Sequence, residues 1–231
     1  MLKTLQNAFK IKEVREKLLY TFFMLVVIRI GSQLPIPGVN TTFFQELFTR
    51  QSNDAFGFFN TITGGSFTNM SVFALSITPY ITSSIIMQLL TIAIPKLEEM
   101  QQEGEDGRKK IAEYTRYLTV ALALMQSVAM AIGFGGKGLL VEFTALNVIV
   151  AIVTMTAGSA MLMWIGERIT ENGVGNGISI VLLFNIISTM PSDMITLYER
   201  FLQGKIVAVA VVTAVIIVAV IVAMVVFVII L

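Results

Sequence analysis

The sequence contains no cysteine and no histidine, and only 13% of its residues are charged. Without thiols or imidazoles, the chain cannot build a zinc site, a thiol nucleophile or a histidine-based acid–base pair from its own residues. Soluble domains usually carry about 25% charged residues, whereas hydrophobic residues make up 55% of the 231 here. The formal net charge of +1 gives no strong basic field for nucleic acid. The composition therefore indicates a chain that lies in a membrane for most of its length.

Charged residues divide the apolar sequence into six stretches that reach, or come close to, the roughly 20 residues needed to cross a bilayer. These stretches predict an all-α fold, a polytopic bundle of membrane helices. The expected spans are residues 18–36, 71–94, 117–134, 144–165, 177–191 and 206–231. The expected connections are an N-terminal tail (1–17), external loops (37–56 and 192–205) and cytoplasmic loops (95–116 and 166–176). Because the sequence ends on VVFVIIL without a polar exit, we expect it to be the first part of a longer protein.

Lysine and arginine are distributed unevenly between the two sides of this bundle. The tail carries five, the loop after the second span carries five, and the loop after the fourth span carries Arg168, which makes eleven on one side. The other side carries four, namely Arg50, Lys137, Arg200 and Lys205. Because cytoplasmic loops are enriched in these residues, the N-terminus is predicted to be cytoplasmic.

Residues 57–68, GFFNTITGGSFT, here called the uncharged segment, are too short to cross a membrane. Gly64 and Gly65 disfavour an isolated helix, yet the segment lacks the charges of a solvated loop. One interpretation is a short re-entrant helix on the outer side, covered by protein, because irregular backbone is tolerated at membrane depth only there or beside water. The other is an external loop that rests on the bilayer through Phe58, Phe59 and Phe67.

Five longer stretches recur together in the order and spacing of one family. They are RIGSQLPIPG (29–38), FFNTITGGSF (58–67), FALSITPYITSSIIMQLL (73–90), EGEDGRKKIAEYTRY (103–117) and MLMWIGERITENGVGNGISI (161–180). With them the sequence resembles the SecY family, the channel subunit of the bacterial protein translocase. The resemblance implies a protein-conducting channel of ten spans in two pseudo-symmetric halves, of which this chain holds the first five spans and the sixth.

The resemblance also assigns a role to the uncharged segment. In the family, a short helix at this position is the plug that closes the channel from outside. The residues that match it are Phe58, Phe59, Asn60, Ile62, Thr63, Gly64, Gly65, Ser66 and Phe67.

Two apolar pairs, Ile77 with Ile81 and Ile178 with Leu182, are four residues apart, so each pair lies on one helix face. Such pairs occur in any membrane helix. The resemblance is what assigns these four residues to a pore ring, an aliphatic constriction that excludes water and fits around a passing chain.

Spans two and three also carry polar side chains, for which ordinary hydrogen bonding between helices is the alternative. The resemblance places them at the lateral gate, through which signal sequences and membrane segments leave into lipid. They are Thr82, Ser83, Ser84, Gln88, Gln126 and Ser127.

Other residues carry local expectations. Arg29 lies inside the first span and is expected to snorkel or to pair with a carbonyl group. Pro79 is expected to kink the second span, and Asn176 to cap the fifth. The charged loop 95–116 is helical in pattern. It is either a solvated loop or a contact for the partner that feeds the channel, with Arg108, Lys109 and Lys110 as the contact residues.

The resemblance implies no catalytic residue, no metal and no cofactor in this subunit. It implies SecE and SecG as further subunits, and the SecA motor ATPase or a translating ribosome as the source of energy. Signal-sequence-bearing polypeptides would be the cargo and the bacterial plasma membrane the location, with contact to membrane lipid. Ribosomal RNA is the one nucleic acid left open as a partner.

Two other classes of function are alternatives to a channel. A secondary transporter of small solutes usually needs an ionisable site at mid-membrane, and no acidic residue lies inside a predicted span. An intramembrane protease of the Ser–His or HExxH type needs histidine. Asp54, Asp106 and Asp193 all lie outside the predicted spans, which argues against an aspartyl pair.

Overall fold

The computed structural model describes residues 11–42 and 54–197. Within these ranges the chain is built from helices, joined by turns and two isolated β-bridges. The helices are α1 (Lys12–Gln33), α2 (Asp54–Ile62), α3 (Thr78–Ala93), α4 (Pro95–Gln102), α5 (Glu105–Phe134), a π-helix (Gly135–Leu139), α6 (Ala145–Asn172) and α7 (Gly177–Leu197). The predicted all-α class is confirmed. The sixth expected span, residues 206–231, lies outside the described residues.

Two of the described helical stretches are long and apolar enough to cross a membrane, Glu105–Leu139 and Ala145–Asn172. A third qualifies if α3 and α4, which meet at an angle of 101°, count as one broken span. The helix α1 carries charged residues from Lys12 to Lys17, and only 16 residues, 18–33, follow this charged part. One of the 16 is Arg29. Its apolar part is therefore short by comparison with α5 and α6.

The helix α3 begins at Thr78, seven residues later than the expected start of the second span at residue 71. The intervening residues form turns in which Ser71 N–H donates to Ser66 and Ser76 N–H to Phe73. Pro79 lies in the first turn of α3, where a missing N–H has no helical partner to lose. The expectation that Pro79 kinks the span is therefore corrected, because the helix starts there and needs no bend.

Two connections are largely helical, the first as its sequence pattern predicted. The helix α5 starts at Glu105, so the second half of the loop 95–116 is its first three turns. Gly104, at φ +86°, makes the reversal between α4 and α5. The helix α6 continues to Asn172, which shortens the expected loop 166–176 to a turn of four residues. The backbone N–H groups of Ile178 and Ser179 donate to Asn176 Oδ1 at 3.1 and 3.2 Å, so the predicted cap of α7 is confirmed.

Packing places α5 between α3 and α6, while α1 lies against α6. One apolar core joins the turns after α2 to α5 and α6, through Phe67, Met70, Ala131, Leu139 and Met155. A second core joins α1, α3, α6 and α7, and includes Ile28, Ile77, Leu162, Ile165 and Val181. The β-bridges pair Pro35 with Ser71 and Val39 with Leu140. By contacts the chain divides into Met1–Ile186 and Ile187–Leu231, and the described part of the second unit is the end of α7.

Candidate functional site

The four aliphatic residues named for a constriction come together. Ile77 is the N-cap of α3 and is 1% exposed. Its carbonyl accepts from the N–H of Ile81 at 3.1 Å, so the two residues stay one helical turn apart. Ile77 belongs to the second apolar core, and Ile81, Ile178 and Leu182 pack against that core. Two helices that are distant in sequence, α3 and α7, thus contribute to one apolar cluster.

Glycine makes this convergence possible. A Cβ placed on Gly166 of α6 would lie 3.1 Å from Ile178 Cγ1 and 3.5 Å from Ile77 Cδ1. A Cβ on Gly177, the first residue of α7, would lie 2.0 Å from the Gly166 carbonyl oxygen. The two glycines allow α6 and α7 to meet backbone to backbone, which brings Ile178 next to Ile77.

A cavity of about 350 Å³ borders the cluster. Ile81, Ile178 and Leu182 form part of its wall, and Ser84 and Asn176 add polar groups. The four aliphatic residues therefore lie at the junction of a packed core and an open space.

The uncharged segment ends its helix with glycines. Gly64 and Gly65 have φ of +67° and +80°, the left-handed region that glycine adopts most readily. The N–H of Gly65 donates to Asn60 at 3.0 Å, and that of Gly64 donates to Thr61 at 3.1 Å. These bonds close α2 at its C-terminal end and turn the chain back toward the protein.

Burial within the uncharged segment is uneven. Phe67 is 4% exposed and packs edge to face on Phe59, with ring centroids 4.9 Å apart. Thr63 is 1% exposed, whereas Phe58 is 70% exposed. The side-chain oxygen of Asn60 accepts from the N–H and the hydroxyl of Thr68, at 3.2 and 2.5 Å. The segment is thus folded on itself and covered on one side by protein.

Arg29 ties α1 to this segment. Its Nη1 donates to the carbonyl of Gly64 at 3.1 Å. The predicted pairing of Arg29 with a carbonyl is confirmed, and the carbonyl belongs to the turn that ends α2. A cation is stabilised at the C-terminal end of a helix, where the backbone carbonyls present partial negative charge.

Two of the polar residues named for a lateral gate are buried in helix contacts. The Ser83 hydroxyl of α3 lies 2.5 Å from the Thr119 hydroxyl of α5. The Ser127 hydroxyl of α5 lies 2.9 Å from that of Thr156 on α6. Ser83 therefore lies in the contact between α3 and α5, whereas Ser127 belongs to the contact between α5 and α6.

The other four polar residues lie nearer the surface. Ser84 and Gln88 line a cavity of about 290 Å³ formed by α3 and the first turns of α5. Gln126 lines an apolar cavity of about 420 Å³ together with Phe59, Phe67 and Thr78. Thr82 donates its hydroxyl to the Thr78 carbonyl within α3. The structure thus does not bring the six residues into one cluster.

The cations of the loop 95–116 are accessible. Arg108, Lys109 and Lys110 are exposed on the first turns of α5, and Lys109 lies 3.9 Å from Asp106. Farther along α5, Arg116 forms an ion pair with Glu167 of α6 at 2.8 Å. The hydrogen bond that Arg116 donates to Glu167 raises the pKa of Arg116, so that guanidinium stays charged.

Ser76, the residue before Ile77, has an unusual backbone conformation that the sequence does not reveal. Ser76 has φ +53° and is 1% exposed. Its carbonyl accepts from Ser159 of α6, and its hydroxyl accepts from the amide of Asn185 on α7. No sequence signal predicts a left-handed serine, because the conformation depends on helices more than 80 residues away. Among the described residues, no group of three or more acidic side chains is placed to hold a metal ion.

These features define a polytopic α-helical membrane protein with an aliphatic cluster between α3 and α7. The model of the SecY family matches residues 71–231. The chain belongs to the SecY family.

Its relatives include the protein translocase subunit SecY of Halalkalibacterium halodurans, which is 43% identical over 206 residues, covering 88% of this chain and 47% of that protein. The protein translocase subunit SecY of Pseudomonas aeruginosa is 42% identical over 196 residues, covering 85% of this chain and 44% of that protein. The chain spans about half the length of the curated relatives it matches.

Two solved structures share the fold. One is described as the structure of a protein conducting channel, and the other as Sec61 in the canine ribosome-channel complex from the endoplasmic reticulum. Each has a TM-score of 0.55 and 21% sequence identity, and the match covers 82% of this chain and 42% of that chain.

Proposed function

We propose that this chain forms the first half of the central subunit of a protein-conducting channel. The channel exports unfolded preproteins across the bacterial plasma membrane and releases membrane segments sideways into lipid. Family membership supports this function, since the curated relatives are translocase subunits. The observation that carries it is the clustering of Ile77, Ile81, Ile178 and Leu182 beside an open cavity.

The four aliphatic residues act as one side of a pore ring. Aliphatic side chains bind no water, so a narrow ring of them empties and blocks ions. They also adapt to a passing chain, because they offer no fixed hydrogen-bond geometry that would select one sequence. The second half of the channel would supply the facing residues.

The uncharged segment acts as the plug on the outer side. Its support is the hydrogen bond from Arg29 to Gly64 and the packing of Phe67 on Phe59. It covers part of the core without crossing the membrane and has no charge that would oppose its burial. Because it is not part of a membrane-spanning helix, a translocating chain can displace it.

The lateral gate is formed by α3 and α5 on this half. Ser84, Gln88 and Gln126 line cavities on these helices, while the buried hydroxyls of Ser83 and Thr119 join α3 to α5. A surface of this kind can meet a facing helix, separate from it and accept a signal sequence between them. Thr82, Ser83 and Ser127 add polar groups to the same two helices.

The uneven distribution of lysine and arginine favours a cytoplasmic position for the N-terminus and for the turn 173–176. Arg108, Lys109 and Lys110 then face the cytoplasm and offer a contact for SecA or for a ribosome. SecE and SecG complete the complex. The Sec61 relative in a ribosome-channel complex supports a ribosome as partner.

The test is ion leakage through the intact, resting channel complex purified from the source membrane. Ile77→Ser combined with Ile81→Ser should raise conductance in planar bilayers by about tenfold or more, because hydroxyls rewet the constriction. The matched control is Leu89→Ser combined with Ile92→Ser on the same helix, since these side chains are 62% and 79% exposed and lie outside the cluster. A double variant of Ile77 and Ile81 that stays as closed as the control would refute the pore ring.

A further inference from the structure

Ser76 has a backbone conformation that its own side chain disfavours. Its φ of +53° lies in the left-handed region, which costs free energy for any residue with a Cβ. The neighbouring residue Ile77 caps α3 and lies in the aliphatic cluster proposed as the constriction. A change in the Ser76 backbone would therefore move Ile77 directly.

Two helices hold Ser76 in this conformation. Ser159 Oγ of α6 donates to the Ser76 carbonyl at 3.1 Å, and Asn185 Nδ2 of α7 donates to Ser76 Oγ at 3.2 Å. The three side chains are 1%, 2% and 6% exposed, so water does not compete for the bonds. Strained backbone of this kind persists only where its surroundings over-determine it.

The backbone beside Ser159 approaches the same turn. A Cβ on Gly158 would lie 2.0 Å from the Val72 carbonyl oxygen, so α6 contacts the chain on both sides of the turn that ends at Ser76. The turn lies between the uncharged segment and α3. Any shift of α6 or α7 away from α3 must break at least one of the two hydrogen bonds to Ser76.

We propose that Ser76, Ser159 and Asn185 form a buried latch that positions Ile77 in the closed constriction. The proposal rests on the proposed channel function. With the latch intact, the strained turn is held and the ring is closed. With either bond broken, Ser76 relaxes toward negative φ and withdraws Ile77 from the ring. The three residues are positioning residues, and separation of α6 or α7 from α3 becomes an opening signal.

The test uses resting conductance of the intact channel complex in planar bilayers. Asn185→Leu has similar size without an amide, and Ser76→Ala keeps the Cβ but removes the hydroxyl. Each variant should raise the resting conductance by about tenfold. The left-handed conformation costs a non-glycine residue about as much free energy as a tenfold change in the ratio of open to closed channels requires. The double variant should leak no more than either single one, because both remove the same bond.

Glycine at position 76 separates a latch from general stabilisation. Ser76→Gly makes the left-handed turn unstrained, so it should stay nearly closed, and Asn185→Leu added to it should cause little further leak. A merely structural role for Asn185 would show the same leak in both backgrounds. The control is Thr21→Val, which removes another buried hydroxyl, one that accepts from the Val174 N–H, and should leave conductance at the parent level.

The outcomes are distinct. The latch would be overturned if the Asn185→Leu and Ser76→Ala channels stay closed. It would also be overturned if Asn185→Leu causes the same leak in the parent and in the Ser76→Gly background. If Asn185→Leu does not accumulate, Ser159→Ala removes the second bond, and a closed Ser159→Ala channel equally overturns it. Failure of the proposed function is seen separately, as a closed channel with serine at both 77 and 81.

Discussion

The uncharged segment with its following turns, residues 57–77, and the helical hairpin of α5 and α6 bury backbone in opposite ways. Within the two helices of the hairpin, N–H groups beyond the first turn bond to carbonyls four residues back, so most of the backbone is satisfied within its own helix. In residues 57–77, several backbone groups bond to distant parts of the chain. Ile36 N–H donates to Met70, Val72 N–H donates to Leu34, and the Gly64 carbonyl accepts from Arg29.

This difference in hydrogen bonding distinguishes the part of the fold that stays folded from the part that can rearrange. The backbone hydrogen bonds of the hairpin lie within its helices and do not depend on where the helices are placed. Small residues such as Ala123 and Ala131, both 0% exposed, let these helices pack closely. The turns keep their conformation only while α1 and α6 hold them. We infer that residues 57–77 can rearrange during gating while the hairpin stays folded.

The largest expected effect comes from placing the same charge in each region. Ala131→Asp buries a carboxylate on α5, in the apolar core that α5 shares with α6 and the turns after α2. Because α5 itself cannot leave its site, this change should destabilise the fold by about 4 kcal/mol or more. Thr63→Asp buries it in the uncharged segment, which can leave its site instead. We expect normal accumulation of Thr63→Asp, with a raised resting conductance and export of substrates that carry weak signal sequences.

Immunoblots of membranes and bilayer conductance measure the two outcomes. Thr63→Asn, which changes the polar group without adding a charge, is the matched control and should leak less than Thr63→Asp. Loss of both aspartate variants from the membrane would show that the segment is as obligatory as the hairpin, and would contradict the comparison.

The two regions also differ in what the sequence predicts. The hairpin follows from hydropathy and length, since α5 includes the expected span 117–134 and α6 covers the expected span 144–165 from Ala145 onward. Local chemistry also predicted correctly where it was decisive. The position of Asn176 before an apolar run favours a cap, and Arg29 inside an apolar run demands a polar partner.

The turns could not be predicted, because their causes are tertiary. Residues 71–77 are apolar enough to belong to a span. The bond that Val72 N–H donates to Leu34 and the bond that Ser159 donates to Ser76 nevertheless hold them out of a helix. The left-handed Ser76 has no sequence signal of its own. The partner of Ser127 depends on the rotation of α5 about its axis, and hydropathy alone did not distinguish α3 from α6 as its neighbour.

A smaller effect is expected at the link between α1 and the uncharged segment. Arg29→Gln removes the charged donor to the Gly64 carbonyl, and hydrogen bonds to charged groups contribute about 1.5–3 kcal/mol. The resting conductance should rise, but less than for Thr63→Asp, because Phe67 still packs on Phe59. Arg29→Lys keeps a cation near the helix end and should restore most of the closed state.

Bilayer conductance of the two Arg29 variants, at matched amounts of channel in the membrane, measures this effect. Equal conductance of the parent and Arg29→Gln would show that the Gly64 contact does not hold the segment. Loss of the Arg29→Gln protein from the membrane would instead show that Arg29 is required for folding of the chain.

The smallest effect is expected within the hairpin, at the ion pair of Arg116 and Glu167. The two side chains are 45% and 19% exposed, so water and salt screen them. Exposed pairs contribute about 0.2–1 kcal/mol, and Arg116→Gln should lower the melting temperature of the purified channel by only about 1–3 °C. Because hydrogen bonding to Glu167 raises the pKa of Arg116, the parent's melting temperature should not change between neutral and mildly alkaline pH through loss of this cation.

A double-mutant cycle with Glu167→Gln isolates the pair, and its coupling should vanish at about 1 M salt. Resting conductance should stay at the parent level throughout, since the hairpin holds its own backbone bonds. A leak from Arg116→Gln as large as that from Arg29→Gln would show that the hairpin takes part in gating after all, and would remove the distinction between the two regions.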